Sequence, residues 1–216
     1  SDVCSSDLRR IGQALLDRGL SADKPVLILS ENSLEHAMMA LACMMVGVAH
    51  CPVSPAYSTV SKDYDKLKHI IRTLTPGMVM AVDADRYAAA MKACVPDDVE
   101  IVLGNGQIEG RTHTRFAALL ETEDTPAVDA AMQATGPDTI VKFLFTSGST
   151  NLPKGVVNTH GMWCANQQQM LQSMPVLGES PPVLVDWLPW NHTFGGNHNI
   201  GLVLRSEEHA SELQSH

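Results

Sequence analysis

Several things are scarce in this 216-residue chain, and each scarcity removes a class of function. Cysteine is one: there are five, scattered, with no Cys-x-x-Cys pair. That excludes the common zinc and dithiol motifs, and Cys43, Cys51, Cys94 and Cys164 read as buried free thiols of a reducing cytoplasm. The histidines show no metal-ligand spacing either, so no metal ligand is assigned. Positive charge is also scarce: 15 Lys and Arg face 24 Asp and Glu, a net charge of −9. Without a basic cluster, neither nucleic acid nor an anionic membrane surface is expected as a partner. A ligand that needs only a local positive site remains open. Long apolar runs are absent too. The longest run without a charge after Glu35 is 37–49, and a bilayer span needs about 20 apolar residues. The expected location is cytoplasmic.

The ends stand apart from the rest. Arg205 to His209 matches the translated start of a common sequencing adapter, and Val3 to Leu8 matches its reverse complement. Segments 1–8 and 205–216 are therefore expected to be adapter read-through, outside the fold and without bearing on it. The natural segment is then 9–204, open at both ends.

Within it, helix and strand patterns alternate. Residues 9–20 read as a helix with Ile11, Ala14 and Leu15 inward, and 25–29 as a strand. Ser33 can cap a helix carrying Leu34, Ala37, Met38, Leu41, Ala42 and Met45, a methionine-rich stripe that reads as core packing. Gly47 ends it, 50–53 is the next strand, and 54–60 is a loop. A helix with Leu67, Ile70, Ile71 and Leu74 inward follows, then a strand over 78–82. Asp83 caps a helix with Tyr87, Ala90, Met91 and Cys94, and 99–103 is a further strand. Over 104–138 the pattern weakens to one short helix around Phe116, Leu119 and Leu120. Residues 161–173 read as a helix and 182–188 as a strand. This alternation predicts an α/β fold, a parallel β-sheet layered with helices. Ligands in such sheets sit beyond the carboxyl ends of strands.

One such end is rich in small polar residues. The apolar run 140–145 reads as a buried strand and leads into Thr146-Ser147-Gly148-Ser149-Thr150-Asn151-Leu152-Pro153-Lys154-Gly155; Val156-Val157 leads out. Glycine lets backbone N–H groups approach a ligand, hydroxyls add hydrogen bonds, and Lys154 supplies a mobile positive charge. Together they suit a polyphosphate. The order is neither a Walker A loop nor a Gly-x-Gly-x-x-Gly fingerprint.

This stretch resembles the phosphate-binding loop of the adenylate-forming (AMP-binding) enzymes, a superfamily of acyl-CoA synthetases, luciferases and peptide-synthetase adenylation domains. It departs from their pattern at Asn151, where glycine is usual; asparagine tolerates positive φ best after glycine. The run Leu188-Pro189-Trp190-Asn191-His192-Thr193-Phe194-Gly195-Gly196 resembles the family's next motif, in which an aromatic or His lies beside the acyl carboxylate. His192 is the matching position. Imidazole donates well to a carboxylate, but beside Trp190 and Phe194 it could equally be a satisfied core residue.

The resemblance implies a partial N-terminal domain of an ATP-dependent acyl-CoA synthetase. Its carboxylic acid would attack the α-phosphorus of ATP, with Mg²⁺, and CoA thiol would then displace AMP. Thr146, Ser147, Gly148, Ser149, Thr150 and Lys154 are the implied nucleotide-binding residues, and His192 and Lys154 the implied catalytic ones. The runs 186–192 and 157–160 look closest to feruloyl-CoA synthases, which implies an aryl acid. A peptide-synthetase adenylation domain and a non-catalytic nucleotide-binding module remain as alternatives. The family's later motifs are not in this chain, so it reads as a fragment inactive by itself.

Overall fold

The computed structural model describes residues 2–146, 152–179 and 184–205, with side chains from residue 5 onward. Seven strands form one sheet in the order β5-β4-β3-β1-β2-β6-β7. They are β1 (Val26–Ile28), β2 (His50–Pro52), β3 (Met78–Asp83), β4 (Glu100–Asn105), β5 (Thr114–Arg115), β6 (Ile140–Thr146) and β7 (Lys154–Thr159). All neighbouring pairs are parallel except the last: β7 returns antiparallel to β6. The expected parallel sheet therefore holds up to β6. A short connection to an adjacent strand permits only an antiparallel return.

The helices are α1 (Asp2–Asp17), α2 (Leu34–Met45), α3 (Ala56–Thr59), α4 (Asp65–Leu74), α5 (Ala84–Cys94), α6 (Phe116–Leu119), α7 (Pro126–Ala134), α8 (His160–Ser173) and α9 (Val176–Glu179). Side-chain caps start several of them. Ser33, Asp83, Thr125 and Thr159 accept from the backbone N–H of His36, Asp85, Ala127 and Met162, satisfying donors that a helix start leaves open. Gly47, at φ +72°, stops α2 in the left-handed conformation that glycine adopts without penalty. Strand β5, α3 and α7 were not legible from the pattern, although Thr125-Pro126 is a start signal.

Two cores lie on opposite faces of the sheet. Val26 and Ile28 pack with Ile11, Leu15, Met39 and Met80 on one face. Leu27 and Leu29 pack with Ile70, Val79, Tyr87 and Met91 on the other. Neighbouring residues of β1 thus point to opposite faces, as the strand period requires. The stripe on α2 is rotated from its expected position: Leu34 is 71% exposed, while His36, Met39 and Cys43 are buried. This helix is covered on two sides, by α1 and by the segment that follows residue 184, so its buried arc is wider than one stripe. The thiols divide as well: Cys43 and Cys51 are buried, Cys94 is half-buried and Cys164 is exposed. At the ends, Leu8 is partly buried against the first core, in a segment expected to be adapter. Residues 206–216 lie outside the described residues. Among the described residues, no helix is long and apolar enough to cross a membrane.

Candidate nucleotide and acid site

Strands β6 and β7 form a hairpin whose last pair is Thr146 opposite Lys154. Both side chains are exposed. They stand at the mouth of the Ser/Thr/Gly stretch, at the carboxyl end of β6. Ser147, Gly148, Ser149, Thr150 and Asn151 lie outside the described residues. On the return side, the Pro153 carbonyl is 3.0 Å from His69 Nε2 of α4. Below it the Phe145 ring covers Gly155 across the strands, 3.3 Å from where a Cβ would sit. An aromatic laid over a cross-strand glycine restores packing that the glycine lacks.

The second element is the segment 184–199. No ladder forms over 184–189, so the strand expected at 182–188 is not there among the described residues. Side chains take the place of a ladder. The Asn32 amide donates to Leu188 O (2.8 Å) and accepts from Trp190 N (3.0 Å). The Asp186 carboxylate accepts from Leu188 N (3.0 Å) and from the Asn199 amide (2.8 Å). Backbone groups satisfied in this way do not need a neighbouring strand. Asn32 follows β1, the strand with β2 on one side and β3 on the other. A reversal of strand order of this kind is where open α/β sheets gather ligands.

His192 is exposed, which removes the satisfied-core reading. Its Nδ1 accepts from Phe194 N at 3.3 Å, which assigns the neutral ring's proton to Nε2. Immediately after it, Phe194–Asn199 is π-helical. The glycines there are needed for close backbone packing: a Cβ on Gly195 would lie 2.6 Å from Pro189 O, and one on Gly196 would collide with Trp190 O. Phe194 and His198 stack at 4.4 Å between ring centres.

Lys142 is a functional candidate that the sequence reading passed over inside its apolar run. It is 2% exposed, donates from Nζ to Gly196 O at 2.7 Å, and lies 4.0 Å from the centre of the Trp163 ring. Burial pushes its ammonium down to about 7. It lines a cavity of about 210 Å³ with His36, His50, Trp163, Trp190 and apolar residues of α2. Burial, opposed by the Glu31 carbonyl and assisted by the Lys142 charge, pushes His36 down to about 4. His50 is held well below its usual range, first by burial and then by Lys142 and His36. The signal was a single charge in an otherwise apolar strand.

The profile of a family described as AMP-binding enzyme matches residues 5–207. The chain belongs to this family. Indigoidine synthase of Streptomyces lavendulae is 30% identical over 142 residues, covering 66% of this chain and 10% of the synthase. A salicylyl-CoA synthase / salicylate adenylyltransferase of a Streptomyces species is 28% identical over 185 residues, covering 83% of this chain and 33% of that protein. Among solved structures, the adenylation domain of a keto acid-selecting NRPS module, bound to keto acyl adenylate, superposes with a TM-score of 0.71 at 20% identity. It covers 94% of this chain and 34% of that one, and at that identity it supports the fold alone. The chain thus spans a third or less of the length of these two curated relatives. Among the described residues, no group of three His, Cys, Asp or Glu could hold a metal. Among the described residues there is thus no ligand cluster for the Mg²⁺ that the family implies.

Proposed function

We propose that the chain is the phosphate-loop portion of an ATP-dependent acid-activating ligase, which joins a carboxylic acid to AMP and then to the thiol of CoA. The observation that carries this reading is the β6–β7 hairpin. It pairs Thr146 with Lys154, both exposed, at the two ends of the stretch 146–154. Attack by the acid on the α-phosphorus leaves pyrophosphate, whose charge builds up as the bond breaks. Donors and a cation already aimed there lower that barrier. Lys154, Thr146 and the loop residues Ser147, Gly148, Ser149 and Thr150 take this role. His192, exposed and with its proton on Nε2, is the donor to the acid's carboxylate.

We read the acid as an aryl acid. The support is the resemblance of 186–192 to feruloyl-CoA synthases and the ring pair Phe194–His198 beside His192. The loop 146–155 also resembles that of peptide-synthetase adenylation domains, which leaves a second reading in which the acceptor is a carrier-protein thiol and not CoA. The test is ATP–pyrophosphate exchange by the complete protein encoded around this chain, with ferulate, benzoate, salicylate and amino acids. CoA-dependent AMP release is then measured with the best acid. Exchange with an aryl acid and thioester formation with CoA are expected. Exchange with an amino acid alone, without CoA turnover, would select the second reading, and no exchange with any acid would reject both.

A further inference from the structure

A π-helical turn widens the backbone register and takes carbonyls away from the regular ladder, and such turns gather at functional sites. In the turn Phe194–Asn199 the carbonyls are met from outside. Gly196 O accepts from Lys142 Nζ (2.7 Å). Asn197 O accepts from Trp163 Nε1 (2.8 Å) and Gln167 Nε2 (3.1 Å), both on α8. The Lys142 bond differs from the others in two ways. It comes from β6, the strand that runs into the phosphate loop, and it carries a charge. It also continues to His192, because Gly196 N donates to His192 O at 2.8 Å. Two hydrogen bonds in series therefore join β6 to the backbone of His192.

A buried ammonium is costly without compensation. Among the described residues, no carboxylate pairs with Lys142. The groups around it are His50 on β2, His36 on α2, Trp163 on α8 and Gly196 on the turn. Its compensation is the Gly196 carbonyl and the face of the Trp163 ring, an arrangement that attracts cations. A register shift between Ile140 and Lys142 marks an irregularity where β6 begins, and such bulges re-aim side chains. A residue that served packing alone would not need a nitrogen at this place.

We propose that Lys142 is a positioning residue for the acid half of the reaction: by donating to Gly196 O it fixes the turn that carries His192 relative to the strand leading into the phosphate loop. This rests on the ligase reading given above. The two parts of the site, one for phosphates and one for the acid, are then held in register by one side chain. The bond is stronger with the ammonium than with the neutral amine, since charge-assisted hydrogen bonds are roughly twice as strong. Acid binding therefore weakens as pH rises through about 7, where Lys142 loses its proton.

The experiment uses the complete protein and the variants Lys142→Met, which keeps the stem without the nitrogen, and Lys142→Arg, which keeps a charged donor. The adjoining cavity of about 210 Å³ gives the longer side chain room. With the best acid of the ferulate, benzoate and salicylate panel, Lys142→Met is expected to raise the KM for the acid about tenfold while leaving that for ATP nearly unchanged, as a misplaced positioning group does. The wild type's acid KM rises through neutral pH. The Met variant's is high and flat, and Lys142→Arg recovers part of the loss without the pH dependence. Amide hydrogen exchange at 194–199 speeds up in the Met variant. Unchanged exchange and an unchanged acid KM in Lys142→Met would overturn the proposal. If that variant does not fold, the wild-type pH profile and the Arg variant decide, and a wild-type acid KM flat across neutral pH would overturn it. Faster exchange in the Met variant, with no acid-dependent turnover in the wild type, would reject the ligase reading and leave the clamp standing.

Discussion

The β3-β1-β2 centre of the sheet, its covered flank, and the β7 edge, its uncovered flank, differ in how much of their surface is buried. Strands β1, β2 and the first part of β3 are buried on both faces. Leu27, Ile28, Val79 and Met80 touch no solvent. At the other flank Lys154, Gly155, Val156 and Val157 of β7 are exposed, and Trp187 and Val185 nearby are 81% and 85% exposed. The proposed functional side chains, Thr146, Lys154 and His192, are all exposed. Burial of apolar area is the main source of stability, so the covered flank is the scaffold and the uncovered one is where ligand and further protein surface are expected to meet. Large exposed apolar patches mark such contacts.

The largest expected effect separates this chain from a longer protein that contains it. The chain alone is expected to form no measurable acyl-adenylate and to aggregate, while the complete protein forms it and stays in solution. One lost transition-state donor costs about 10²–10³ in rate, and the chain covers only 10% and 33% of two curated relatives. ATP–pyrophosphate exchange and light scattering on both proteins check this. Turnover by residues 9–204 alone would place all the chemistry within this chain.

A single change on the uncovered flank comes next. In the complete protein, Lys154→Ala is expected to slow adenylate formation by about 10²–10³. CoA-dependent turnover of a supplied adenylate should fall much less, because the proposed partner of Lys154 is the leaving pyrophosphate. An equal loss in both half-reactions would mean that Lys154 holds AMP or the fold.

On the covered flank the effect is on stability and not on rate. Leu27→Ala empties a fully buried site and is expected to cost about 2–5 kcal/mol. Val185→Ser, at an exposed site, should stay within roughly 0.5 kcal/mol. Urea unfolding of both variants measures the contrast, and similar losses would erase the distinction between the flanks.

The covered flank was also the legible one. Short apolar runs locate β1 to β4 and helical spacing locates α1, α4 and α5, because strands buried on both faces are apolar throughout and helices buried on one face are apolar along a stripe. The segment 184–190 carries apolar residues that look like a strand, yet Asn32 and Asp186 satisfy its backbone with side chains. No local pattern records a bond between positions 158 apart. The turn at 194–199 is irregular for a similar reason, since its carbonyls are met by α8 and β6. Lys142 was legible only as a break in an apolar run. Its meaning depends on Gly196 and Trp163, which the chain brings to it from far along the sequence.

The cavity between the flanks makes stability depend on pH, and the sign follows from burial. Lys142 is lowered from 10.5 to about 7, so between those values the unfolded chain binds a proton that the folded one does not. Stability is therefore present above 10.5 and lost as pH falls toward 7. His36, lowered from 6.5 to about 4, adds a second loss between those values. The urea midpoint should fall on acidification through both windows. Lys142→Met should flatten the alkaline limb and leave the acid one. A Met variant that keeps the alkaline slope would place that titration elsewhere.

The smallest effect tests the tie between the flanks. Asn32 sits just beyond β1, on the covered scaffold, and its amide holds the uncovered segment at Leu188 and Trp190. It is exposed, so water can replace either bond, and each is worth about 0.5–1.5 kcal/mol net. Asn32→Ala is expected to lower global stability by no more than about 1–2 kcal/mol on that basis. The local change is larger, because the Trp190 amide loses its acceptor and should exchange faster with solvent. Asn32→Asp keeps an acceptor for Trp190 N but has no N–H for Leu188 O. It should therefore protect the Trp190 amide as the wild type does and still lose part of the stability. Equal exchange at Trp190 in the wild type and in Asn32→Ala would show that the segment is held by its own turn. The scaffold would then place His192 without Asn32.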